Sequence, residues 1–228
     1  MKTMKLWASI VLSVVFCASL GAQEKVYRFS GFSAVDVQTK IKARLVASNE
    51  NKVVVQGENI DHVLAKEDKG RLVVRFKSTK GIGADPVAVC VYYNSPLTYI
   101  GASGDSEITA ENVLEGGNIR IDAGKGAFVH ANVSADTLRA SIAAGGQIQT
   151  AGDVKMVEVS IKTGGQFNGY ELVADDALAT ITAGGTAYVY ALKTIKARVG
   201  MGGKVFCKGA ANVDSRTTMG GSVIVVED

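Results

Sequence analysis

The sequence predicts an all-β protein: a single-stranded, right-handed β-helix (β-solenoid) of about seven rungs, with an N-terminal β region that caps it. Three observations support this prediction. The 228 residues include 26 Gly but only 2 Pro, and Val, Ile and Thr are abundant, which favours strands joined by tight turns. A short glycine motif recurs between residues 98 and 226. Apolar and polar residues alternate on both sides of that motif, as in strands with one buried face.

The first 22 residues have the pattern of an export signal. Lys2 and Lys5 precede an apolar run, residues 6–20, which is shorter than the roughly 20 residues that span a membrane. Small residues follow it, so we expect cleavage near Ala22. The mature chain would then have no membrane span and would reside in the periplasm or at the cell surface. Cys17 leaves a lipoprotein open, but Phe16 is not the small residue that a lipid-attachment motif needs before the cysteine.

The charge balance and the Cys and His content argue against a nucleic-acid-binding protein and against a metal site. The signal carries two Lys and no acidic residue, so 23 basic and 22 acidic residues remain, and this balance gives no electrostatic basis for binding nucleic acid. Cys90 and Cys207 leave a disulfide open, although two small buried side chains fit the pattern better. With His62 and His130 they have no recognisable metal-site spacing. We therefore predict no cofactor and no metal.

Residues 23–97 form strands less regularly than the rest. Turn residues separate the apolar segments, and residues 59–69 are compatible with a short helix. Because no Pro/Ser-rich linker follows, we expect this region to cap one end of the solenoid. The predicted strands are Val26–Phe29, Ala34–Gln38, Ile41–Ala47, Lys52–Gln56, Leu72–Phe76 and Val87–Tyr93.

Residues 98–228 form the repeat region. The recurring phrase is an apolar residue, any residue, a small residue and Gly-Gly, and its spacing of 18 to 21 residues indicates stacked rungs. The first turn residue falls at positions 103, 124, 145, 164, 184, 202 and 220. Aligned on the turn, one inward column contains Ile100, Ile121, Ile142, Ile161, Ile181 and Val199. A second inward column contains Ala102, Ala123, Ala144, Thr163, Ala183, Met201 and Met219.

A single rung cannot bury its apolar face, but stacking at about 4.8 Å creates a continuous core. Glycine pairs supply the positive φ or close backbone approach that a sharp corner requires. An antiparallel sandwich of hairpins is the alternative. The solenoid is favoured because the copies align column by column.

Several segments, in order, resemble one bacterial family. They are Phe32-Ser-Ala-Val-Asp-Val37, Asn59-Ile-Asp-His-Val-Leu64 with Gly70-Arg-Leu-Val-Val74, Val89-Cys-Val-Tyr-Tyr-Asn-Ser-Pro-Leu97 leading to Ile100-Gly-Ala-Ser-Gly-Asp105, and the Gly-Gly ladder. Together they resemble the putative auto-transporter adhesin, head GIN domain family, a domain of unknown function. The resemblance implies an exported β-helix protein of a Bacteroidetes-type bacterium, and it implies no catalytic residues. Lys125 and Thr217 depart from the repeat pattern.

The sequence contains no recognisable catalytic motif, so we predict that the protein is not an enzyme. Because some β-helices act on polysaccharides, one acidic corner needs consideration. Asp105, Glu107 and Asp122 fall near it with Lys125 close by, and two carboxylates about 5–10 Å apart could perform glycosidase chemistry. A solvated corner without catalytic function is the simpler interpretation.

Aromatic residues suggest a binding surface. Phe128, Tyr188, Tyr190 and Phe206 face outward and would stack into a stripe, unless the N-terminal region covers them. Exposed aromatic patches suit a glycan or a protein partner. The main hypothesis is therefore an adhesin or binding module for a glycan or a cell-surface protein. The alternatives are a polysaccharide lyase or hydrolase and a structural envelope protein that self-associates through its C-terminal rung as a homo-oligomer.

Overall fold

The computed structural model describes residues 24–57, 59–77, 86–209 and 212–226, so the predicted signal, residues 1–22, lies outside the described residues. The described chain is all-β apart from one 3-10 turn, Ile60–His62. The strands are β1 Glu24–Arg28, β2 Ala34–Gln38, β3 Ile41–Ala47, β4 Lys52–Gln56, β5 Val63–Asp68, β6 Arg71–Phe76, β7 Val87–Tyr93, β8 Tyr99–Ser103, β9 Glu107–Ala110, β10 Leu114–Gly124, β11 Phe128–Ala143, β12 Gln147–Thr163, β13 Gln166–Ala183, β14 Thr186–Val199, β15 Lys204–Lys208, β16 Asn212–Thr217 and β17 Ser222–Val226.

The repeat region is a parallel β-solenoid of about seven turns, as predicted. Strands β10 to β13 each pair in parallel with the next strand in long registers. Each of the strands β11 to β14 leaves one glycine turn, follows one side of the rod, bends and follows the other side to the next turn. The bend interrupts the strand pairing at three positions. Asp136, Lys155 and Asp175 have no paired residue on the neighbouring strands.

The glycine corner is held by a ladder of backbone hydrogen bonds between rungs. The amide of Gln147 donates to the carbonyl of Ala127 at 2.8 Å, and Gln166 donates to Gly146 at 3.0 Å. Position 146 has no room for a side chain, because a Cβ on Gly146 would lie 2.4 Å from the Ala123 carbonyl oxygen. Its neighbour Gly145 is required by conformation, with φ +78°.

The N-terminal region continues the parallel stack before it ends. Strands β2 and β3 pair in parallel with β8 and β9, and β6 and β7 pair in parallel with β2 and β3. Antiparallel strands then complete this end, with β4 on β7, β1 on β4 and β5 on β6. The predicted strands of this region are confirmed to within a few residues. The 3-10 turn and β5 occupy the segment for which a short helix was considered.

The core is an unbroken column of apolar side chains along the rod. Ile142, Ile161, Ile181 and Val199 are buried and pair in register. The predicted register was wrong by two residues at one step, because Ile121 pairs with Ala140 and not with Ile142.

The second predicted inward column was also wrong in part. Ala102 and Ala123 are buried, but four later members belong to the turns or their margins and are exposed, namely Ala144, Thr163, Met201 and Met219.

Candidate binding surface

Three aromatic rings on successive rungs form one contact set, which we call the aromatic ladder: Tyr170, Tyr188 and Phe206. Tyr188 and Phe206 are paired residues of β14 and β15, and their rings stack with centroids 5.0 Å apart and planes 14° apart. Tyr170 meets the Tyr188 ring edge to face at 5.1 Å. All three side chains are half-exposed.

The stacking limits what the ladder can bind. Tyr188 and Phe206 cover part of each other's ring faces, so a sugar ring has less aromatic face to pack on than the sequence suggested. Cross-strand aromatic pairs stabilise a sheet. The ladder therefore has a structural role whether or not it touches a ligand.

Phe128 does not belong with the other predicted stripe residues. Across its neighbouring strands it faces Glu107 and Gln147. His130 instead aligns, through Gln149 and Asn168, with the column that contains Tyr188. The error has the same cause as the register error, because the degenerate second turn was aligned two residues too early.

Tyr170 reaches the ladder through an irregularity that the sequence pattern does not reveal. The pairing of β13 with β14 jumps between Gly169 and Val173. The extra residues on β13 displace Tyr170 from the regular outward column, so its ring meets Tyr188. A bulge of this kind has no glycine-pair signature.

Tyr190 stands apart from the ladder at the edge of the next outward column. It pairs with Val173 on one side and Lys208 on the other. The Lys208 ammonium lies 5.4 Å from the ring centroid. A Cβ on Gly209 would come within 2.9 Å of the ring, so the absence of a side chain at Gly209 leaves room for the ring.

A shallow trough of about 530 Å³ runs along the bend of β10 to β14, and we call it the bend trough. Its floor is made of small or buried residues that pair from rung to rung, Gly116, Ala135, Val154 and Ala174. Five rungs spaced about 4.8 Å apart make it roughly 19 Å long. Its two walls contain Ser134, Asp153 and Val173 on one side and Asp136, Lys155 and Asp175 on the other.

One wall of the bend trough carries alternating charges. The Lys155 ammonium lies 2.6 Å from an Asp136 carboxylate oxygen, and the Lys193 ammonium lies 3.0 Å from Asp175. The hydrogen bond to Asp136, the charge of Asp136 and, more weakly, the charge of Asp175 raise the pKa of Lys155. Donors and acceptors therefore alternate along a wall on which positive and negative charges are nearly balanced.

In the structure, the acidic residues of the predicted corner do not form an acid–base pair. Glu107 forms an ion pair with Lys42 at 3.2 Å, and Asp122 forms one with Arg120 at 2.9 Å. Asp105 is a turn residue with φ 58°.

A polar cluster near this corner was not predicted from the sequence. It consists of Tyr99, Asp36 and Asp122, with Tyr99 between the two acids. Burial raises the pKa of the Tyr99 phenol to about 12, and the charges of Asp122 and Asp36 contribute. Burial also raises the pKa of Asp36. A phenol with such a pKa stays neutral near pH 7. The sequence signal for this cluster is Gly101, two residues after Tyr99, whose missing side chain makes room for the Tyr99 ring.

Other candidate sites are limited within the part of the chain that the structure describes. No group of three or more His, Cys, Asp or Glu there could hold a metal ion. No helix there is long and apolar enough to cross a membrane. Cys90 and Cys207 form no disulfide, and burial raises the pKa of the Cys207 thiol to about 11.

Comparison with solved structures supports the fold. A protein described as a putative adhesin from Bacteroides fragilis is 16% identical, with a TM-score of 0.80 over 92% of this chain and 98% of that one. A putative adhesin from Parabacteroides distasonis is 21% identical, with a TM-score of 0.68 over 91% and 97%.

A third similar structure carries a different description. It is described as a putative lipid binding protein from Parabacteroides distasonis and is 16% identical, with a TM-score of 0.68 over 90% and 96% of the two chains. No curated protein matches this chain.

The sequence itself matches one family model over most of its length. The match covers residues 31–211 and includes the N-terminal strands β2 to β7 as well as nearly all of the repeat. The chain therefore belongs to the putative auto-transporter adhesin, head GIN domain family.

Proposed function

We propose that this protein is an exported, non-catalytic adhesion module that holds a neutral glycan chain in the bend trough. The family and the adhesin-described neighbours support a role in binding surface molecules. The observation that carries the proposal is the trough itself, an extended depression across five rungs with polar walls. Its volume lies within the range of ordinary ligand sites.

The chemistry of the walls favours a ligand rich in hydroxyl groups. Asp153 and Asp136 can accept hydrogen bonds, Lys155 can donate them, and the Ser134 hydroxyl can do both. A sugar hydroxyl also does both, so it can satisfy either kind of wall residue. Because Asp136 and Asp175 are paired with lysines, a strongly charged polymer gains little from this surface.

Tyr190 extends the trough at its C-terminal side. Its partner Val173 lines the trough, and so does Leu192, two residues after Tyr190. The ring is half-exposed, and an aromatic side chain with a polar tip suits the apolar face and hydroxyl edge of a pyranose. We assign Tyr190 the aromatic contact of the site, in preference to Tyr188 and Phe206, which stack on each other.

Two other functions fit the site less well. Hydrolysis or elimination of a polysaccharide needs an acid and a base that converge on one bond, whereas Glu107, Asp122, Asp136 and Asp175 all form ion pairs with Lys or Arg. A lipid chain, which the description of one structural neighbour suggests, would have to desolvate the charged walls of the trough.

A glycan-array screen of the full chain tests the proposal. Ser134→Trp places a large ring in the trough from an exposed wall position, and Lys162→Trp is its matched control on an exposed site of β12 near the glycine turn. We expect binding by the wild type and by Lys162→Trp, and loss in Ser134→Trp. Tyr190→Ala should weaken binding, while Phe128→Ala should not.

Two results would reject the proposal. No glycan bound by a protein that melts cooperatively would reject the glycan ligand. Binding that survives Ser134→Trp would place the ligand elsewhere on the rod.

A further inference from the structure

The last two glycine corners differ from the earlier ones in the residue that precedes the Gly-Gly pair. On three earlier corners this residue is small, namely Ala144, Thr163 and Ala183. On the last two corners it is Met201 and Met219. The Gly184 amide donates to the Met201 carbonyl at 2.9 Å, and the Gly202 amide donates to the Met219 carbonyl at 3.2 Å. The two methionines therefore lie on successive turns, about 4.8 Å apart along the rod.

Both methionine side chains are exposed to solvent. Met201 is 52% exposed and Met219 is 80% exposed, the highest value among the seven large exposed hydrophobic residues of the described chain. Ile224 and Val225, which are also exposed, belong to β17, the strand that leaves the Met219 corner. An exposed group of large apolar side chains is typical of a surface that contacts a partner or a membrane.

Basic residues appear on the same two rungs, on both sides of the methionines. The outward column before the corner has short hydroxyl residues on three rungs and Arg on the last two, and it contains Ser141, Ser160, Thr180, Arg198 and Arg216. The column after the corner is uncharged until its fourth member, and it contains Gln147, Gln166, Thr186 and Lys204. The sequence therefore changes from small or neutral residues to Met and basic residues in three columns at the same end of the rod.

These basic side chains are not neutralised by acidic residues of the described chain. Arg198, Arg216 and Lys204 are exposed and form no ion pair with any residue that the structure describes. Arg198 and Arg216 are direct neighbours on β14 and β16, and like charges in such a pair destabilise a sheet. Asp214, the one acidic residue of β16, lies opposite Lys196. The surface therefore carries excess positive charge, although the charges of the whole chain are nearly balanced.

Arginines of earlier rungs on the same face show the contrast. Arg120 forms an ion pair with Asp122 at 2.9 Å, and Arg139 forms one with Glu158 at 2.9 Å. The absence of such partners is thus a property of the last two rungs and not of this face of the solenoid.

We infer that this surface, which consists of Met201, Met219, Arg198, Arg216 and Lys204 and which we call the C-terminal corner, docks on a membrane that contains anionic lipid. This inference does not depend on the glycan site. The methionines enter the interface, and the basic groups contact the lipid phosphates. Long basic side chains suit this position, because their stems pack on apolar surface while their charged ends stay at the level of the headgroups. Each basic residue near an anionic leaflet also strengthens binding electrostatically.

The combination of charge and exposed apolar surface favours a membrane over other partners. A two-fold contact with a second copy through the C-terminal corner would bring the Arg198 and Arg216 side chains of both copies together, and like charges repel. A soluble polyanion would pair with the basic residues but would leave Met201 and Met219 in water. A membrane accommodates both groups, because its anionic headgroups cover an apolar interior.

Tryptophan fluorescence of the mature chain, residues 23–228, tests insertion of the corner. The single Trp of the sequence is Trp7, within the predicted signal, so Met219→Trp gives the mature chain one Trp. We expect its emission to shift to shorter wavelength with mixed phosphatidylglycerol and phosphatidylcholine vesicles. Val113→Trp, at an exposed hydrophobic residue away from the corner, is the matched control and should not shift.

Vesicle flotation measures the contribution of each part of the surface. Met201→Ser/Met219→Ser and Arg198→Glu/Arg216→Glu should each weaken binding to the anionic vesicles by at least about tenfold. Vesicles of phosphatidylcholine alone should bind the wild type more weakly. Lys66→Glu/Lys125→Glu makes the same change in net charge at two exposed residues remote from the corner, so it should leave binding unchanged.

Three outcomes would overturn the inference. A folded wild-type chain that does not bind anionic vesicles has no such docking surface, and association of the chain with itself under those conditions would assign the corner to a second copy. Binding that both double variants at the corner leave unchanged uses another surface. Binding without a shift in the emission of Met219→Trp means that the corner does not enter the membrane.

Discussion

Tyr188 and Phe206 occupy the same position on successive rungs, and their rings stack 5.0 Å apart at an angle of 14°. This distance is close to the spacing of about 4.8 Å between neighbouring strands. The stack is therefore a direct result of the parallel, in-register pairing of β14 with β15.

A double-mutant cycle should detect this stacking. Tyr188→Leu and Phe206→Leu keep an apolar side chain but remove the ring contact, so we expect a coupling free energy of about 0.5–1.5 kcal/mol. Urea unfolding of the two single variants and the double variant measures it. The cycle of Phe128→Leu with Phe206→Leu should give no coupling, because Phe128 faces Glu107 and Gln147. Equal coupling in both cycles would mean that the ring contact is not its source.

The two glycines of one corner should respond differently to alanine. Gly145→Ala meets nothing within 4 Å but must adopt φ +78°, which should cost about 1 kcal/mol of unfolding free energy. Gly146→Ala places its Cβ 2.4 Å from the Ala123 carbonyl oxygen and should cost about 3 kcal/mol or more. Chemical denaturation compares them. A larger loss in Gly145→Ala would show that conformation, and not the close approach, dominates this corner.

Ser106 should be needed to join the turn between β8 and β9 to β2. Its buried hydroxyl donates to the Val37 carbonyl and accepts from the Ser103 amide, both at 3.0 Å. Ser106→Ala leaves both groups without this partner, so we expect a loss of about 1–3 kcal/mol in unfolding free energy. The exposed Ser134→Ala should change it by less than about 0.5 kcal/mol. Similar losses in both variants would contradict the assigned role.

Thr150 should be replaceable with a gain in stability. Its hydroxyl is buried in β12 and has no hydrogen-bond partner among the described residues. Thr150→Val keeps the shape of the side chain and removes the unsatisfied group, so unfolding free energy should rise by about 1 kcal/mol. Thermal denaturation measures the change. A fall in melting temperature would indicate that the hydroxyl has a partner after all, such as an ordered water.

Cys207 should make the fold less stable at high pH. Burial raises the pKa of its thiol from 9.0 to about 11, so the unfolded chain loses this proton at a lower pH than the folded chain. The stabilisation is complete below pH 9 and is lost between pH 9 and 11, by at most about 3 kcal/mol. The difference in unfolding free energy between the wild type and Cys207→Ala, under reducing conditions, isolates this effect from other titrating groups. A difference that does not change with pH would contradict it.

The rod could be predicted from sequence because glycine pairs and alternating apolar residues recur at a nearly constant spacing. The register between successive rungs was harder to predict. At the second corner, the two residues with positive φ are Lys125 and Gly126, which correspond to Ala144 and Gly145 at the third. A search for Gly-Gly aligns Gly124 with Gly145 instead, and this two-residue error misplaced Phe128.

Strands β2 and β3 were predicted, but their place as a rung of the parallel stack was not, for a related reason. The corner between them uses Thr39 and Lys40, both with positive φ, and contains no glycine. The bend trough was missed because its floor and walls come from small and charged residues that show no periodic signal distinct from ordinary surface positions. Tyr190 was the one predicted aromatic residue beside it.

The corner hydrogen bonds also bear on how this architecture can change in length. Because Gln147, Gln166 and Thr186 each donate to the corner residue of the preceding rung, every interior rung presents nearly the same two interfaces to its neighbours. Loss or duplication of one complete period would leave those interfaces matched and would shorten or lengthen the molecule by about 4.8 Å. The length of the rod is thus adjustable in single-rung steps, without redesign of either terminus.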